Sequence, residues 1–417
     1  MNITLKRCLS IYNLIPALVA GLLVSCGNND PEPKAATPII SSITPDAGAA
    51  GMEVTIVGMN FSNNLSNNKV YFNGVEAMVT AATADNLVAI VPGNASPGPI
   101  SVKVKNSDNA ISPESFRYYD IALALEALVD GKNQVKLWRN NVVDDITDGS
   151  VSISCTSIAI SGTDTYITGN TSNGPVYWKN KELNELSPGI TGATHAIAIH
   201  EGDIYVAGNS GSNSYAAYWK NGALTYLNEE ADGYASNIAF AGPDVYFSGS
   251  VSDGSKYVPR YWKNGIENPL AIDDEAFAED IKTNGDDVYV LAFAVGSAPI
   301  FSIKYWKNGV IKNVSGSNQA QAYSMDIAGT DIYVAGYEKI SGTFFPRFWK
   351  NEVVQEGPFN AGTPGFIRKI VVINEDIIMT GYLNIENHLI PFYSVNNTLQ
   401  TLNDQPDTNV KGMAISQ

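Results

Sequence analysis

The chain has 417 residues, 44% of them apolar, and a formal net charge of −16. That length allows two or three domains, and that charge argues against binding nucleic acid through its phosphates. Its three cysteines, Cys8, Cys26 and Cys155, give neither a disulfide framework nor a cysteine metal site, and 36 glycines suit a β-rich fold with many turns.

Residues 1–25 read as a targeting leader. Lys6 and Arg7 form a basic start, and Ile11–Val24 is an apolar run too short for a membrane-spanning helix. The sequence Leu23-Val24-Ser25-Cys26 resembles the lipobox of bacterial lipoproteins, which implies cleavage before Cys26 and acylation of its thiol. Asp30 and Glu32 resemble the surface-export signal of Bacteroidetes lipoproteins, so a surface-exposed outer-membrane lipoprotein is expected. Residues 26–37, with Pro31 and Pro33, read as a tether from the lipid to the first domain.

Residues 38–119 alternate apolar and polar positions in short runs, at Glu53–Val57, Lys69–Phe72, Asn86–Val91 and Ile100–Lys105, separated by Gly, Pro and Asn turns. This predicts a small Ig-like sandwich. Ile43-Thr44-Pro45-Asp46-Ala47-Gly48, Gly51–Phe61, Val70–Val75, Val91-Pro92, Phe116 and Tyr118 together resemble the IPT/TIG family. The resemblance implies a spacer or interaction module without catalytic residues.

From residue 120 the chain repeats. Six tryptophans (Trp138, Trp178, Trp219, Trp262, Trp306 and Trp349) follow one another at 40, 41, 43, 44 and 43 residues, and Tyr393 follows 44 after the last. Most stand in a local motif such as Tyr218-Trp219-Lys220-Asn221-Gly222. A second marker precedes each, as in Asp203-Ile204-Tyr205-Val206-Ala207-Gly208. Four short strands per repeat, here A to D, make the size of a propeller blade. Asn-Gly between C and D suits a type I′ turn. Asp120 opens a B strand with no A strand before it, and Val410–Ser416 is an A strand with no B strand after it. The two incomplete ends make one blade, so residues 120–417 are expected to form a seven-bladed propeller with Velcro closure. The fold class is therefore all-β, an Ig-like (IPT/TIG) sandwich followed by that propeller. The strand layout is similar to kelch repeats, but no diglycine follows strand B.

The recurring tryptophans are expected to be core residues between blades, and the recurring A–B turn aspartates to bond their own turn backbone. The B–C loops vary in length, with 14, 16, 18, 19, 18 and 17 residues from the turn Asp to the aromatic. With the D–A loops they form the variable face, where binding groups are usually placed. The candidate ligand-binding residues on it are Glu229, Glu230, Asp232, Tyr234, Asp273, Asp274, Phe277, Asp280 and Tyr323. Carboxylates beside rings suit a glycan or Ca²⁺. His195 and His200 leave opposite faces of one strand, and no nucleophile, zinc or nucleotide motif is present. The expected function is non-catalytic recognition of a glycan or a surface protein. The alternatives are a propeller hydrolase or lyase acting on polysaccharide, and a structural subunit of an outer-membrane assembly.

Overall fold

The computed structural model describes residues 34–296, 300–360 and 362–416. Within these every regular element is a β-strand except one 3-10 turn at Leu65–Asn67. The leader, the acylation site Cys26 and most of the tether lie outside the described residues.

The first domain is a sandwich of two sheets. One joins Ile39–Thr44, Glu53–Met59, Asn86–Ile90 and Val79–Ala82; the other joins Ala47–Gly48, Ala110–Tyr118, Gly98–Val104, Asn68–Phe72 and Val75–Ala77. Glu53–Met59 shows why the alternation was legible: Val54 and Ile56 are fully buried while Glu53 and Val57 face out. Phe72 and Phe116 meet edge-to-face across the core, centroids 5.0 Å apart.

Seven four-stranded sheets follow. The last strand, Thr408–Ser416, pairs antiparallel with Asp120–Val129, from Asp120 opposite Ser416 to Ala127 opposite Thr408, and closes the ring. This composite sheet is blade 1, and blades 2 to 7 follow in chain order. Closure leaves no blade short of a strand and removes the open ends of the array. The C–D turns of blades 1 to 6 have positive φ at both central residues, for example 50° at Asn221 and 83° at Gly222, as a type I′ turn requires.

The tryptophans are buried between blades. Trp219 packs on Tyr166 and Tyr177 of the preceding blade, and Trp262 on Tyr218 of the blade before it. One position differs from the sequence reading. The ladder places Ser394 opposite Met379, the register that Trp219 holds opposite Val206. Tyr393 is therefore not the seventh tryptophan equivalent; it matches Tyr218, one residue earlier. Its ring faces Trp138 of blade 1 at 5.0 Å, and its hydroxyl donates to the Ala50 carbonyl of the sandwich at 2.6 Å. Side chains alternate along a strand, so one residue of register decides which neighbouring blade a ring meets.

The turn aspartates also act differently from the expectation. Asp164, Asp203, Asp244, Asp287 and Asp331 each bind the lysine after the tryptophan, at 2.7–2.8 Å, and accept from the C–D turn asparagine side chain at 2.6–2.8 Å. The asparagine oxygen in turn accepts a backbone N–H of strand B, as Asn221 does from Ile204 at 2.9 Å. Asp thus ties two turns together, and Asn caps the backbone. The lysine also lies over the strand-B tyrosine, 5.1 Å from the Tyr205 centroid for Lys220.

In blade 7 this lock is completed from outside the propeller. Val395 and Ile378 occupy the lysine and tyrosine positions, and Arg117 of the sandwich binds Asp376 instead, Nε to Oδ2 at 2.6 Å. Tyr119 donates its hydroxyl to the same carboxylate at 2.6 Å, and Arg117 also holds Asp46. Tyr118 donates to Asn140 of blade 1 at 2.8 Å. One apolar cluster runs through the junction, joining Ala49, Tyr118 and Tyr119 to Leu123, Trp138 and Tyr393. The sandwich is seated on blades 7 and 1, where the ring closes.

Two outcomes follow from closure and seating. Deleting Thr408–Ser416 should replace one sharp thermal transition by a broad one in circular dichroism; an unchanged melt would disprove closure by this strand. Arg117→Ala removes the cation that pairs with the nearly buried Asp376 and should cost about 1–3 kcal/mol in urea unfolding. Burial alone would raise the Asp376 pKa, but hydrogen bonds from Arg117, Asn396 and Tyr119 outweigh it and hold it below the usual range. This contribution is present above the unfolded carboxylate pKa and is lost as pH falls through the folded one. The deficit of Arg117→Ala should therefore be seen at pH 7 and shrink in acid.

Candidate functional site

The seven A strands ring the axis: Thr408–Ser416 for blade 1, then Ser154–Ser161, Gly192–His200, Gly233–Ala241, Glu275–Asn284, Gln319–Ala328 and Gly365–Ile373. Each carries one β-bulge. The displaced residues are Lys411, Thr156, His195, Ser236, Glu279, Tyr323 and Arg368. A bulge leaves its residue outside the ladder and re-aims its side chain. All seven line one cavity of about 650 Å³, to which every inner strand contributes. In five blades a glycine of strand B makes room for the bulge. A Cβ on Gly249 would come 1.9 Å from the Tyr234 carbonyl oxygen, and one on Gly208 2.0 Å from that of Ala193.

The ring is chemically mixed. His195 is enclosed by protein, its Nε2 has no partner, and burial holds its pKa down to about 4, so it is neutral in ordinary buffers. Glu279 is pushed up to about 8, first by burial and further by Asp280, against the pull of Arg368. The Arg368 guanidinium lies over the Tyr323 ring at 4.2 Å, and its buried Nε has no partner. The Thr156 hydroxyl bonds those of Thr168 and Thr194 at 3.0 and 3.1 Å, and Ser236 that of Ser248 at 2.9 Å. Lys411 reaches Glu126 at 3.1 Å. Cys155 lies beside the ring with its thiol toward the Leu125 carbonyl, and burial pushes its pKa up to about 12, so it is an inert packing residue.

The structure divides the residues that the sequence reading places on the variable face. Glu229, Glu230, Asp273 and Asp274 are exposed on D–A loops. Asp232, also exposed, accepts from the Tyr257 hydroxyl at 2.5 Å. Tyr234 and Tyr323 are instead on inner strands and line the axial cavity. Phe277, also on an inner strand, joins a partly exposed row of rings, Tyr234, Tyr257, Phe277, Phe293 and Phe301, with neighbouring centroids 5.1–6.3 Å apart. Asp280 is a correction. It is 1% exposed and accepts from Asn237, Ile281, Ser324 and Met325, with Lys369 at 3.5 Å, so it is not a loop ligand. Its neighbour Glu279 takes the bulge, and that offset turns Asp280 into the wall.

His200 faces away from the axis, stacks on Phe240 at 4.2 Å and bonds the Gly242 carbonyl. Among the described residues no group of three or more His, Cys, Asp or Glu side chains is gathered to hold a metal ion, so the Ca²⁺ reading finds no site there. A peripheral groove of 680 Å³ is lined by residues including Phe345, Arg347 and Phe359, but none of the unpartnered buried polar atoms of the described residues lies in it.

Residues 38–119 match the IPT/TIG domain model. No curated protein matches the chain. Similar solved structures include a protein of unknown function from Bacteroides thetaiotaomicron, 14% identical over 87% of this chain and 98% of its own, TM-score 0.40. Two others are auxiliary nutrient binding proteins. The one from Bacteroides thetaiotaomicron is 13% identical over 90% and 97%, TM-score 0.34; the one from Bacteroides ovatus is 13% identical over 92% and 99%, TM-score 0.39. At these values the likenesses carry no argument about ligand or activity.

The raised pKa of Glu279 sets a pH dependence of stability. Folding favours its protonated form, so this contribution is complete below the ordinary value of 4.5 and lost as pH rises through about 8. Urea unfolding should show the wild type losing stability relative to Glu279→Gln between pH 5 and pH 8.5, by on the order of a few kcal/mol. Parallel curves for the two proteins would show that Glu279 is not held neutral.

Proposed function

We propose that this chain is a lipid-anchored surface protein that binds a small, hydroxyl-rich ligand of the glycan type in the axial cavity and does not transform it. One observation carries the reading. The bulge position of every blade points into a single cavity, its seven residues all differ, and two of them, His195 and Arg368, each keep a buried nitrogen without a hydrogen-bond partner. A structural ring would be expected to repeat one residue, as the tryptophans do. Buried polar atoms left unsatisfied call for a reason, and a ligand supplies one. The row of half-exposed rings that starts at Tyr234 offers the flat apolar faces that sugar C–H groups pack against.

The enzyme alternative rests on the perturbed Glu279 and His195, since such shifts cluster at catalytic sites. Against a glycoside hydrolase, Glu279 is the one acid lining the cavity among the described residues, and that chemistry ordinarily uses two carboxylates. A purely structural subunit would have no use for an unsatisfied cavity.

The test is calorimetric binding of residues 27–417 to a panel of polysaccharides and their oligomers, with released sugar measured in the same samples. Binding without release, weakened about tenfold or more by His195→Ala, is the expected result. Release of sugar would turn Glu279 and His195 into catalytic groups. Binding untouched by His195→Ala would move the site away from the axis, and a silent panel would favour a protein partner.

A further inference from the structure

We propose that the axial cavity is an anion site whose ligand carries a single carboxylate, an acidic sugar rather than a neutral one; this rests on the axial reading above. Among the described residues the cavity wall holds Lys282, Lys369, Lys411 and Arg368 but only one acid, Glu279, in a chain whose net charge is −16. Three of these cations are matched from behind the wall. Lys411 has Glu126 at 3.1 Å, Lys369 has Asp280 at 3.5 Å and Lys282 has Asp326 at 3.7 Å. Arg368 has no ion pair or hydrogen bond among the described residues, and its Nε is buried. Its guanidinium lies against the Tyr323 and Tyr382 rings, at 4.2 and 5.7 Å, so stacking uses its face. The N–H groups point along its edge, and that planar fork matches a carboxylate with two parallel hydrogen bonds.

The charge balance sets the ligand's valence. One unmatched cation fits one negative charge, and a dianionic phosphate would leave a charge uncompensated in an enclosed site. Glu279, the acid that could compete for Arg368, is mostly protonated at neutral pH because of its burial. His195 stays uncharged and can hydrogen-bond a sugar hydroxyl without adding charge. The volume, about 650 Å³, is in the range of small-molecule pockets and takes a mono- or disaccharide.

The experiment compares matched pairs on residues 27–417 by calorimetry: glucuronate against glucose and galacturonate against galactose, as monomers and short oligomers. The expected result is that one acid binds at least tenfold more tightly than its neutral partner. Arg368→Gln, checked for an unchanged melt, should then remove that preference while leaving weak binding. The pairwise comparison on the unaltered protein stands if the variant does not fold. Equal affinity within both pairs would overturn the anion inference and leave the axial binding reading intact. A preference for the acid that survives Arg368→Gln in the folded variant would also overturn it, since the charge would be read elsewhere. Failure of every sugar, acid or neutral, would remove the reading on which the inference rests.

Discussion

The β-bulge in each inner strand is the constraint on which the rest of this propeller depends. It takes one side chain per blade out of the ladder and sends seven of them to the axis. It brings a carbonyl oxygen to about 2 Å from where a Cβ would stand on strand B in the five blades that carry glycine there (Gly169, Gly208, Gly249, Gly336 and Gly381). Blades 1 and 5 carry the same bulge with Leu125 and Ala292 at that position, so the glycine accompanies the bulge in five blades without being required by it. A side chain at Gly249 would meet both the Tyr234 carbonyl and the Trp262 ring, so the bulge and the packing between blades are coupled at one atom position.

What could be read from the sequence was whatever every blade needs. The tryptophans, the Asn-Gly turns and the turn aspartates recur because each solves a problem that recurs, and their spacing gave seven blades and the closing strand. The ring was not read because its residues differ by nature, and because a bulge breaks the alternation that betrays a strand's faces. A signal was nonetheless present. Thr156, His195, Ser236, Glu279, Tyr323 and Arg368 each stand eight residues before a turn aspartate, a register whose residue changes in every repeat. Asp280 was misplaced for the same reason: without the bulge at Glu279, its charge looks like one more acid of the loop that begins at Asp273.

The misreading of Tyr393 has a different origin. In blades 1 to 6 the tryptophan position is occupied, so an aromatic near the expected distance looked like the seventh. The ladder gives that position to Ser394, and Phe359 and Phe392, meeting edge-to-face with centroids 5.2 Å apart, fill the adjoining space. Blade 7 departs from the repeat where it meets the sandwich. Val395 replaces lysine, Ile378 replaces tyrosine, and Arg117 and Tyr119 supply the missing polar groups. Departures from a repeat can mark what the repeat touches as well as what it binds.

The buried charges on the axis separate in the same way into those that hold the ring and the one that does not. Asp280 accepts hydrogen bonds from blades 4, 5 and 6 and faces Lys369 of blade 7, so a single carboxylate ties together four inner strands. Lys282 with Asp326 and Lys411 with Glu126 are likewise closed within the protein. Leaving one partner of a buried pair alone is costly, and the fold has avoided it at each of these places. Arg368 is the exception. It is held in position by two aromatic rings, which orient a guanidinium without neutralising it. A cation kept ordered but unmatched, beside a carboxyl group that burial holds largely neutral, is an arrangement whose electrostatics are completed only by something that enters the cavity.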